Sequence, residues 1–175
     1  MGEQCVIQFE NASDAAYPDG WVDYQAVASY DREYWFRVPT EYVDGKLVIS
    51  HQPEQDSVYY AYFAPYSYER HLDMISWAAS HDDCITDHLG ETAEGRDITL
   101  LEVSQTQGLA KNIWIIARQH PGETMAEWFV EGLLERLFDE SHPVSRSLLN
   151  QCRFYIVPNM NPDGAVHGNL RVNSK

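Results

Sequence analysis

The stretch NIWIIARQHPGETMAEWFVEGLLERLF, residues 112–138, has the pattern of a strand, a tight turn and a helix in direct succession. Residues 112–117 form an apolar, β-branched run that is too short for a helix and predicts a strand covered on both faces. Residues 124–138 predict a helix, with Glu127 on its polar side, because apolar residues recur at spacings of three and four. These apolar positions are Met125, Trp128, Phe129, Leu133 and Leu137. The tetrad His-Pro-Gly-Glu, residues 120–123, separates the strand from the helix.

The chain changes character near residue 63. Before that point, short runs of strand-forming residues alternate with turn signals, and Asp44-Gly45 between two of the runs predicts a hairpin. The runs are residues 5–9, 33–38, 46–50 and 58–63. After that point, residues 67–80 predict a helix, and residues 97–103 and 153–157 predict buried strands. The apolar positions of the helix are Leu72, Ile75, Trp77 and Ala79.

These patterns predict two domains. Residues 1–63 are expected to form a β-rich domain, and residues 64–175 an α/β domain. Because strands alternate with helices in the second part, we expect a mixed, mostly parallel sheet with helices on both faces.

The composition narrows the possible partners. With 27 acidic against 12 basic residues, the formal net charge is −15. Such a surface repels phosphate backbones and anionic lipid headgroups, so we expect neither nucleic acid nor a membrane as partner. No leader of signal-peptide type and no apolar run of about 18 residues is present, which indicates a cytoplasmic location. Cys5, Cys84 and Cys152 lack paired spacing and are expected to be buried thiols, and the oligomeric state is left open.

The tetrad lies where α/β proteins build ligand sites, past the end of a strand and at the start of a helix. His120 offers an imidazole nitrogen and Glu123 a carboxylate, which are ligand types of catalytic zinc, and the Pro-Gly pair between them allows a tight turn. The same spacing recurs at residues 51–54, in a polar turn, and at residues 88–91, read as a loop, where we expect no metal. A simpler interpretation remains open, in which Glu123 only complements the helix dipole.

Four segments, in order, resemble the metallocarboxypeptidases, and among them the branch of the cytosolic carboxypeptidases. ARQHPGETMAEWFVEGLLERL (117–137) is similar to the zinc-binding segment of that branch. VPNMNPDGAVHGNLR (157–171) resembles its Pro-x-x-Asn-Pro-Asp-Gly stretch followed by Gly-Asn-x-Arg. YFAPYSYERHLDMI (62–75) resembles the start of the catalytic domain, and SYDREYWFRVPTEYVDGKL (29–47) resembles part of the β-sandwich that precedes it.

The resemblance implies a zinc-dependent enzyme that removes C-terminal amino acids from peptides or protein tails. His120 and Glu123 match the first two ligands of one Zn²⁺, and Arg171 matches the arginine that polarises the scissile carbonyl and stabilises the oxyanion. Arg118 would have a supporting role, and residues 161–164 a structural one. The third ligand of the family, a His, its Asn-Arg pair for the substrate carboxylate and its general-base Glu would lie after residue 175.

By the same resemblance, the chain is expected to be an incomplete portion of such an enzyme. It would hold a partial β-sandwich and the N-terminal half of the catalytic domain, without the third zinc ligand and the base. His142 and His167 follow the tetrad in the chain, but the family pattern places a ligand at neither of them.

Two other functions stay open. A zinc amidohydrolase of the aspartoacylase and succinylglutamate desuccinylase type shares the His-x-x-Glu spacing, although the β-rich leader and the Gly-Asn-x-Arg segment argue against it. A non-catalytic protein could instead bind sugar or peptide on aromatic residues of the β domain. The candidates are Trp21, Trp35, Tyr59, Tyr60 and Tyr62. Aromatic residues at a spacing of two more often belong to a sandwich core.

Overall fold

The computed structural model describes residues 2–173, which divide into two compact units, one up to Pro65 and one from Tyr66. The first unit contains two three-stranded antiparallel sheets, with strand orders β1-β5-β4 and β3-β2-β6. Its strands are β1 (Cys5–Phe9), β2 (Val27–Ser29), β3 (Phe36–Arg37), β4 (Thr40–Val43), β5 (Lys46–His51) and β6 (Tyr59–Ala61). Two 3-10 helices, Ala12–Asp14 and Pro18–Trp21, lie between β1 and β2.

Apolar side chains of both sheets share one cluster in the first unit. Its buried members are Ala26, Ala28, Val38 and Ile49, and Tyr60 packs against them. The predicted hairpin at Asp44-Gly45 is present: both residues have positive φ, 50° and 77°, and Val43 pairs with Lys46. Positive φ at both central positions is what a tight two-residue hairpin turn requires.

The second unit contains a four-stranded mixed sheet with helices, in strand order β7-β8-β10-β9. Its strands are β7 (Cys84–Glu91), β8 (Asp97–Val103), β9 (Lys111–Ile116) and β10 (Cys152–Val157). Its helices are α1 (Tyr68–Ala79), α2 (Met125–Phe138), α3 (Pro143–Gln151) and α4 (Pro162–His167). An α/β unit with a mixed sheet, preceded by a β-rich unit, is confirmed.

The sheet is less parallel than we predicted. Among the described strands only β9 and β10 pair in parallel, while β8 pairs antiparallel with both β7 and β10. One antiparallel pair was not predicted because the sequence pattern assigns residues 88–91, the last residues of β7, to a loop. A short turn joins β7 to β8, and so short a connection allows only antiparallel pairing. Between β9 and β10, α2 and α3 supply the long crossover that parallel pairing needs.

The helix at residues 67–80 is confirmed as α1, whose N-cap Ser67 accepts a hydrogen bond from the amide of Arg70 at 3.1 Å. The buried positions are His71, Met74 and Ala78, whereas Leu72 and Trp77, which we expected inside, are 50% and 37% exposed. The packed stripe is therefore shifted from the predicted one.

The same shift occurs in α2. Its buried residues are Glu127, Val130, Leu134 and Leu137, while Met125 and Phe129 are exposed. Glu127, assigned to the polar side by the sequence pattern, is 0% exposed. The predicted and the observed set of inward-facing residues both have spacings of three and four, so periodicity alone does not distinguish them. In this helix the buried set includes a polar residue, Glu127, which has hydrogen-bond partners.

Strand β9 is an edge strand of the described sheet and is not covered on both faces as predicted. Trp114 is 59% exposed and stacks on Tyr155 of β10 at 4.7 Å between ring centroids, and Ile116 is 56% exposed. The thiols of Cys84 and Cys152 are buried as expected, but Cys5 is only half-buried. Within residues 2–173, no helix combines the length and the apolar character needed to cross a bilayer.

Candidate metal centre

The candidate centre begins where β9 ends beside the loop that follows β10. The amide of Ala117 donates to the carbonyl oxygen of Val157 at 2.9 Å, and the amide of Met160 donates to that of Ala117 at 3.0 Å. Arg118 then adopts a φ of 45°, in the left-handed region that side chains other than glycine seldom enter. The chain therefore turns sharply two residues before His120.

The tetrad forms a turn that leads into α2. The amide of Glu123 donates to the carbonyl oxygen of His120 at 3.0 Å, and the amide of Ala126 donates to that of Glu123 at 3.1 Å. His120 is half-buried, and Glu123 is exposed at the amino end of the helix. A carboxylate there is stabilised by the helix dipole, whether or not it also binds a metal.

Arg171 comes to this turn from a segment about fifty residues further along the chain. Arg171 contacts both ring nitrogens of His120. The backbone carbonyl oxygen of Arg171 lies 3.2 Å from Nδ1, and Nη2 of the Arg171 side chain donates to Nε2 at 3.1 Å. Its Nη1 lies 3.4 Å from Oε1 of Glu123. The structure thus brings together the three residues that the sequence singles out.

The donor set of this group suits zinc. His120 supplies imidazole nitrogens, the donors through which histidine binds metal ions, and both of them face Arg171. Glu123 adds a carboxylate, and nitrogen with oxygen donors is the usual set of a catalytic zinc site. Arg171 always carries its charge and donates hydrogen bonds, which suits an oxyanion and not a metal.

The other histidines considered in the sequence are engaged elsewhere. His142 precedes α3 and lies 3.5 Å from Oγ of Ser145, and His167 donates to the carboxylate of Glu94 at 2.7 Å. His51 in the first unit contacts the hydroxyl of Tyr60 at 3.0 Å.

The repeat of the spacing at residues 88–91 lies on β7 and not in a loop. A bulge between His88 and Gly90 turns Glu91 to the same side as His88, and Asp97 faces both from β8. Their ligand atoms lie within 4.8 Å of one another, so the three could hold a metal ion. All three residues are exposed, however, and exposed acidic groups of this kind commonly have no ion.

A buried polar network behind the tetrad was missed by the sequence analysis. Glu127 accepts hydrogen bonds from Nδ1 of His71 at 2.7 Å, from Nδ2 of Asn159 at 3.2 Å and from Nη1 of Arg118. Arg118 also donates from Nε to the carbonyl oxygen of Pro121 at 2.9 Å. The available signal was the stripe Val130, Leu134 and Leu137, because one more step of three residues toward the amino end reaches Glu127.

A second network fixes residues 161–164, which are the N-cap and the first residues of α4. Asp163 accepts hydrogen bonds from Oγ1 of Thr92 at 2.7 Å, from Nη1 of Arg96 at 2.6 Å and from the amide of Glu94 at 3.2 Å. Burial alone would raise the pKa of Asp163, but these hydrogen bonds and the charge of Arg96 outweigh it and lower the pKa. The N-cap Asn161 accepts from the amide of Gly164 at 3.0 Å. The start of α4 is therefore hydrogen-bonded to the turn between β7 and β8.

A mixed α/β unit with a histidine and a glutamate at the end of a strand is the architecture expected of a zinc peptidase. Residues 69–174 match the family model described as zinc carboxypeptidase, and residues 1–63 match that of the cytosolic carboxypeptidase N-terminal domain. The chain belongs to the zinc carboxypeptidase family, and the predicted resemblance is confirmed.

Two relatives are similar to this chain over most of its length. An uncharacterized protein of Zymomonas mobilis is 50% identical over 164 residues, which cover 94% of this chain and 42% of that protein. Cytosolic carboxypeptidase 6 of Mus musculus is 30% identical, with 95% and 34% of the two chains covered. The chain thus spans less than half the length of these relatives.

Solved structures with the same fold are also similar in sequence. A metallo-carboxypeptidase from Burkholderia cenocepacia has a TM-score of 0.90 and 54% identity, with 99% of this chain and 47% of that chain covered. A metallo-carboxypeptidase from Pseudomonas aeruginosa, in complex with (2-guanidinoethylmercapto)succinic acid, has a TM-score of 0.87 and 46% identity, with 98% and 46% covered.

Proposed function

We propose that this protein is a zinc-dependent metallocarboxypeptidase that removes single amino acids from the C-terminus of peptides or protein tails. The observation that carries the proposal is the meeting of His120, Glu123 and Arg171 at the end of β9. A zinc ligand pair and a separate cation at one place match the needs of peptide hydrolysis, in which negative charge develops on the carbonyl oxygen.

In this proposal His120 and Glu123 hold one Zn²⁺. The ion, when bound, would polarise the carbonyl group and lower the pKa of its water. Arg171 would orient the scissile carbonyl and donate hydrogen bonds to its oxygen as the oxygen becomes negative. A guanidinium suits this task because it offers several donors and does not lose its charge.

The proposal also includes groups that this chain does not supply. The third ligand, a His, and the general-base Glu would come from outside residues 1–175, as the resemblance implies. His142 and His167 are poor substitutes because His142 precedes α3 and His167 ends α4, and the family pattern places a ligand at neither of them.

The substrate and the setting complete the proposal. The Pseudomonas aeruginosa relative binds a succinic acid derivative, and carboxylates are what a peptide C-terminus presents to a carboxypeptidase. We assign residues 1–63 to a partial β-sandwich domain and residues 64–175 to the N-terminal part of the catalytic domain. We also propose a cytoplasmic location, by analogy with the names of the relatives.

Metal binding by variants tests the assignment of His120. We expect His120→Ala to weaken zinc binding at least about 10-fold, measured by competition with a chromophoric chelator. His51→Ala is the matched control, because His51 has the same spacing to Glu54 but lies on β5, where its ring contacts the hydroxyl of Tyr60, and it should leave that affinity unchanged. Undiminished zinc binding by His120→Ala would remove His120 from the site.

Substrate assays separate the proposed enzyme from the two alternatives. Hydrolysis of peptides from the C-terminus supports a carboxypeptidase, whereas activity confined to acylated amino acids would favour the amidohydrolase. The non-catalytic alternative keeps some support, because Trp21, Tyr60 and Tyr62 line a cavity of about 500 Å³ in the first unit, and Tyr62 is 52% exposed. Binding of a sugar or peptide by the first unit, with no zinc bound by the protein, would favour that alternative.

A further inference from the structure

We infer that Glu127 is a positioning residue for the metal-binding turn, acting through Arg118 on the backbone that carries His120. This inference rests on the proposed function, since it concerns how the two zinc ligands are held. The juxtaposition is direct: Glu127 contacts Arg118, and Arg118 contacts the carbonyl group of Pro121, the residue after His120.

The burial of this group requires an explanation. The side chain of Glu127 is 0% exposed and that of Arg118 is 5% exposed. A buried ion pair contributes little net stability, because desolvation of both charges offsets their attraction, and an apolar pair of similar shape often serves as well. A gain in stability alone therefore does not account for a glutamate here, whereas a need to fix specific backbone groups does.

Arg118 holds the turn on both sides of His120. It lies two residues before His120 with a φ of 45°, and its Nε donates to the carbonyl oxygen of Pro121 at 2.9 Å. Its Nη1 donates to the carbonyl oxygen of Tyr66 at 2.8 Å as well as to Glu127. A guanidinium with these three acceptors has one orientation, and that orientation determines the path of the chain through His120.

Glu127 links this arginine to the rest of the second unit. Its Oε1 accepts from His71 of α1, and its Oε2 accepts from Arg118 and from Asn159 in the loop after β10. One carboxylate thus connects α1, α2, the turn after β9 and the loop after β10. It also lies four residues after Glu123, which directly precedes the N-cap Thr124 of α2, so the second ligand enters the helix that carries the group orienting the first.

The chain offers a matched control on the same helix. Glu131 lies one turn further along α2 and also binds α1, accepting from Arg70 at 2.5 Å and from the hydroxyl of Tyr66 at 2.5 Å. Glu131 thus binds α1 and the residue Tyr66 that precedes it, and it contacts none of residues 118–123 directly, although the carbonyl oxygen of Tyr66 also accepts from Arg118. Glu131→Gln therefore removes a carboxylate that binds α1 but does not contact Arg118. Glu127→Gln removes a carboxylate that binds both α1 and Arg118.

The experiment compares these two variants in the full chain, by zinc affinity and by amide hydrogen exchange. We expect Glu127→Gln to weaken zinc binding about 10-fold or more, as loss of a group that orients a ligand typically does. We also expect faster exchange at the amides of Gly122 and Glu123. Glu131→Gln should leave both quantities within about twofold of the wild type, even where its melting temperature falls as much.

The outcomes separate this inference from the proposed function. If Glu127→Gln leaves zinc affinity and exchange unchanged, or if Glu131→Gln alters both equally, Glu127 is not a positioning residue. If the wild type and His120→Ala bind zinc equally, the proposed function fails. The exchange rates of Gly122 and Glu123 then still decide whether Glu127 orders the turn.

Discussion

The amide of Gly122 donates to the carbonyl oxygen of Leu170 at 2.9 Å, and this contact seats the segment that carries Arg171 on the turn that carries His120. The approach is close because Gly122 has no side chain. A β-carbon built at this position would lie 2.8 Å from that oxygen and 3.2 Å from the α-carbon of Leu170. Glycine is thus required here by the nearness of another backbone.

Gly122→Ala is expected to push the two segments apart and to destabilise the protein by about 1–3 kcal/mol, as overpacking does. Chemical denaturation gives the stability, and the NMR signals of Leu170 and Arg171 report the displacement. Gly132→Ala is the matched control, because Gly132 lies inside α2 with no atom within 4 Å of an added β-carbon. That variant should gain about 0.5–1 kcal/mol from helix propensity. Equal effects of the two variants would contradict the close contact.

Asp163 is expected to make stability depend on pH. Because its pKa in the folded protein lies below its ordinary value of 3.8, its contribution is full above that value and is lost as the pH falls through the folded pKa. Asp163→Asn should cost on the order of 2 kcal/mol at pH 7, from weakened hydrogen bonds to Thr92 and Arg96. The difference between wild type and variant, measured by urea unfolding, should shrink below about pH 4. A difference independent of pH would show that the charge is not involved.

The packed side of α2 can be tested by truncation. Leu134 is 0% exposed, so Leu134→Ala is expected to lower the free energy of unfolding by about 3 kcal/mol through loss of burial and the cavity left behind. Phe129→Ala, at a 59% exposed position of the same helix, should cost less than about 1 kcal/mol. Denaturant unfolding of both variants gives the two free energies. A larger decrease for Phe129→Ala than for Leu134→Ala would mean that the packed side of α2 is the one that the sequence pattern predicts.

Much of the second unit could be predicted because its signals are local. The apolar run before the tetrad, the helical spacing of residues 67–80 and the helical spacing of residues 124–138 placed β9, α1 and α2 correctly. The contact of Arg171 with His120 followed only from the resemblance, since nothing in a 51-residue separation specifies it locally. It depends on Gly122 and on the turn after α4, which are tertiary features.

The features that the sequence did not predict depend on partners that are distant in the chain, either a neighbouring strand or polar side chains. The last residues of β7, 88–91, contain a single apolar side chain, Leu89, and they form a strand because β8 supplies hydrogen bonds on both sides of the bulge between His88 and Gly90. Glu127 is buried only because His71, Arg118 and Asn159, each from a different part of the chain, converge on it. A helical pattern that sorts residues by polarity cannot detect such compensation.

The three thiols are expected to differ in reactivity. Burial raises the pKa of Cys84 to about 11, so almost none of it is thiolate near neutral pH, whereas Cys5 is half-buried. We expect iodoacetamide to modify Cys5 first in the folded protein and Cys84 only on unfolding, followed by mass spectrometry of peptides. Cys5→Ser is the control and should abolish the early phase. Early labelling of Cys84 would mean that β7 opens locally.

Arg171→Ala separates a ligand from a residue that acts on the substrate. The guanidinium lies within 3.1 Å of Nε2 of His120 and 3.4 Å of Oε1 of Glu123, so its charge repels a metal ion held by those groups. A unit charge and a divalent ion about 4 Å apart in water interact by about 2 kcal/mol, which corresponds to roughly 30-fold in affinity before screening by salt. We therefore expect Arg171→Ala to bind zinc at least as tightly as the wild type and up to about 30-fold more tightly, with the difference reduced by salt.

The control for Arg171→Ala is Arg136→Ala, at the far end of α2, where Arg136 pairs with Asp139 at 3.7 Å. It removes the same charge from the molecule without touching the turn, and zinc affinity should not change. If Arg171→Ala instead loses zinc as completely as His120→Ala, the contacts of the Arg171 guanidinium with His120 and Glu123 order the metal site. The segment of Leu170 and Arg171 would then hold the ligand in place, and its role in stabilising the oxyanion would need a separate demonstration.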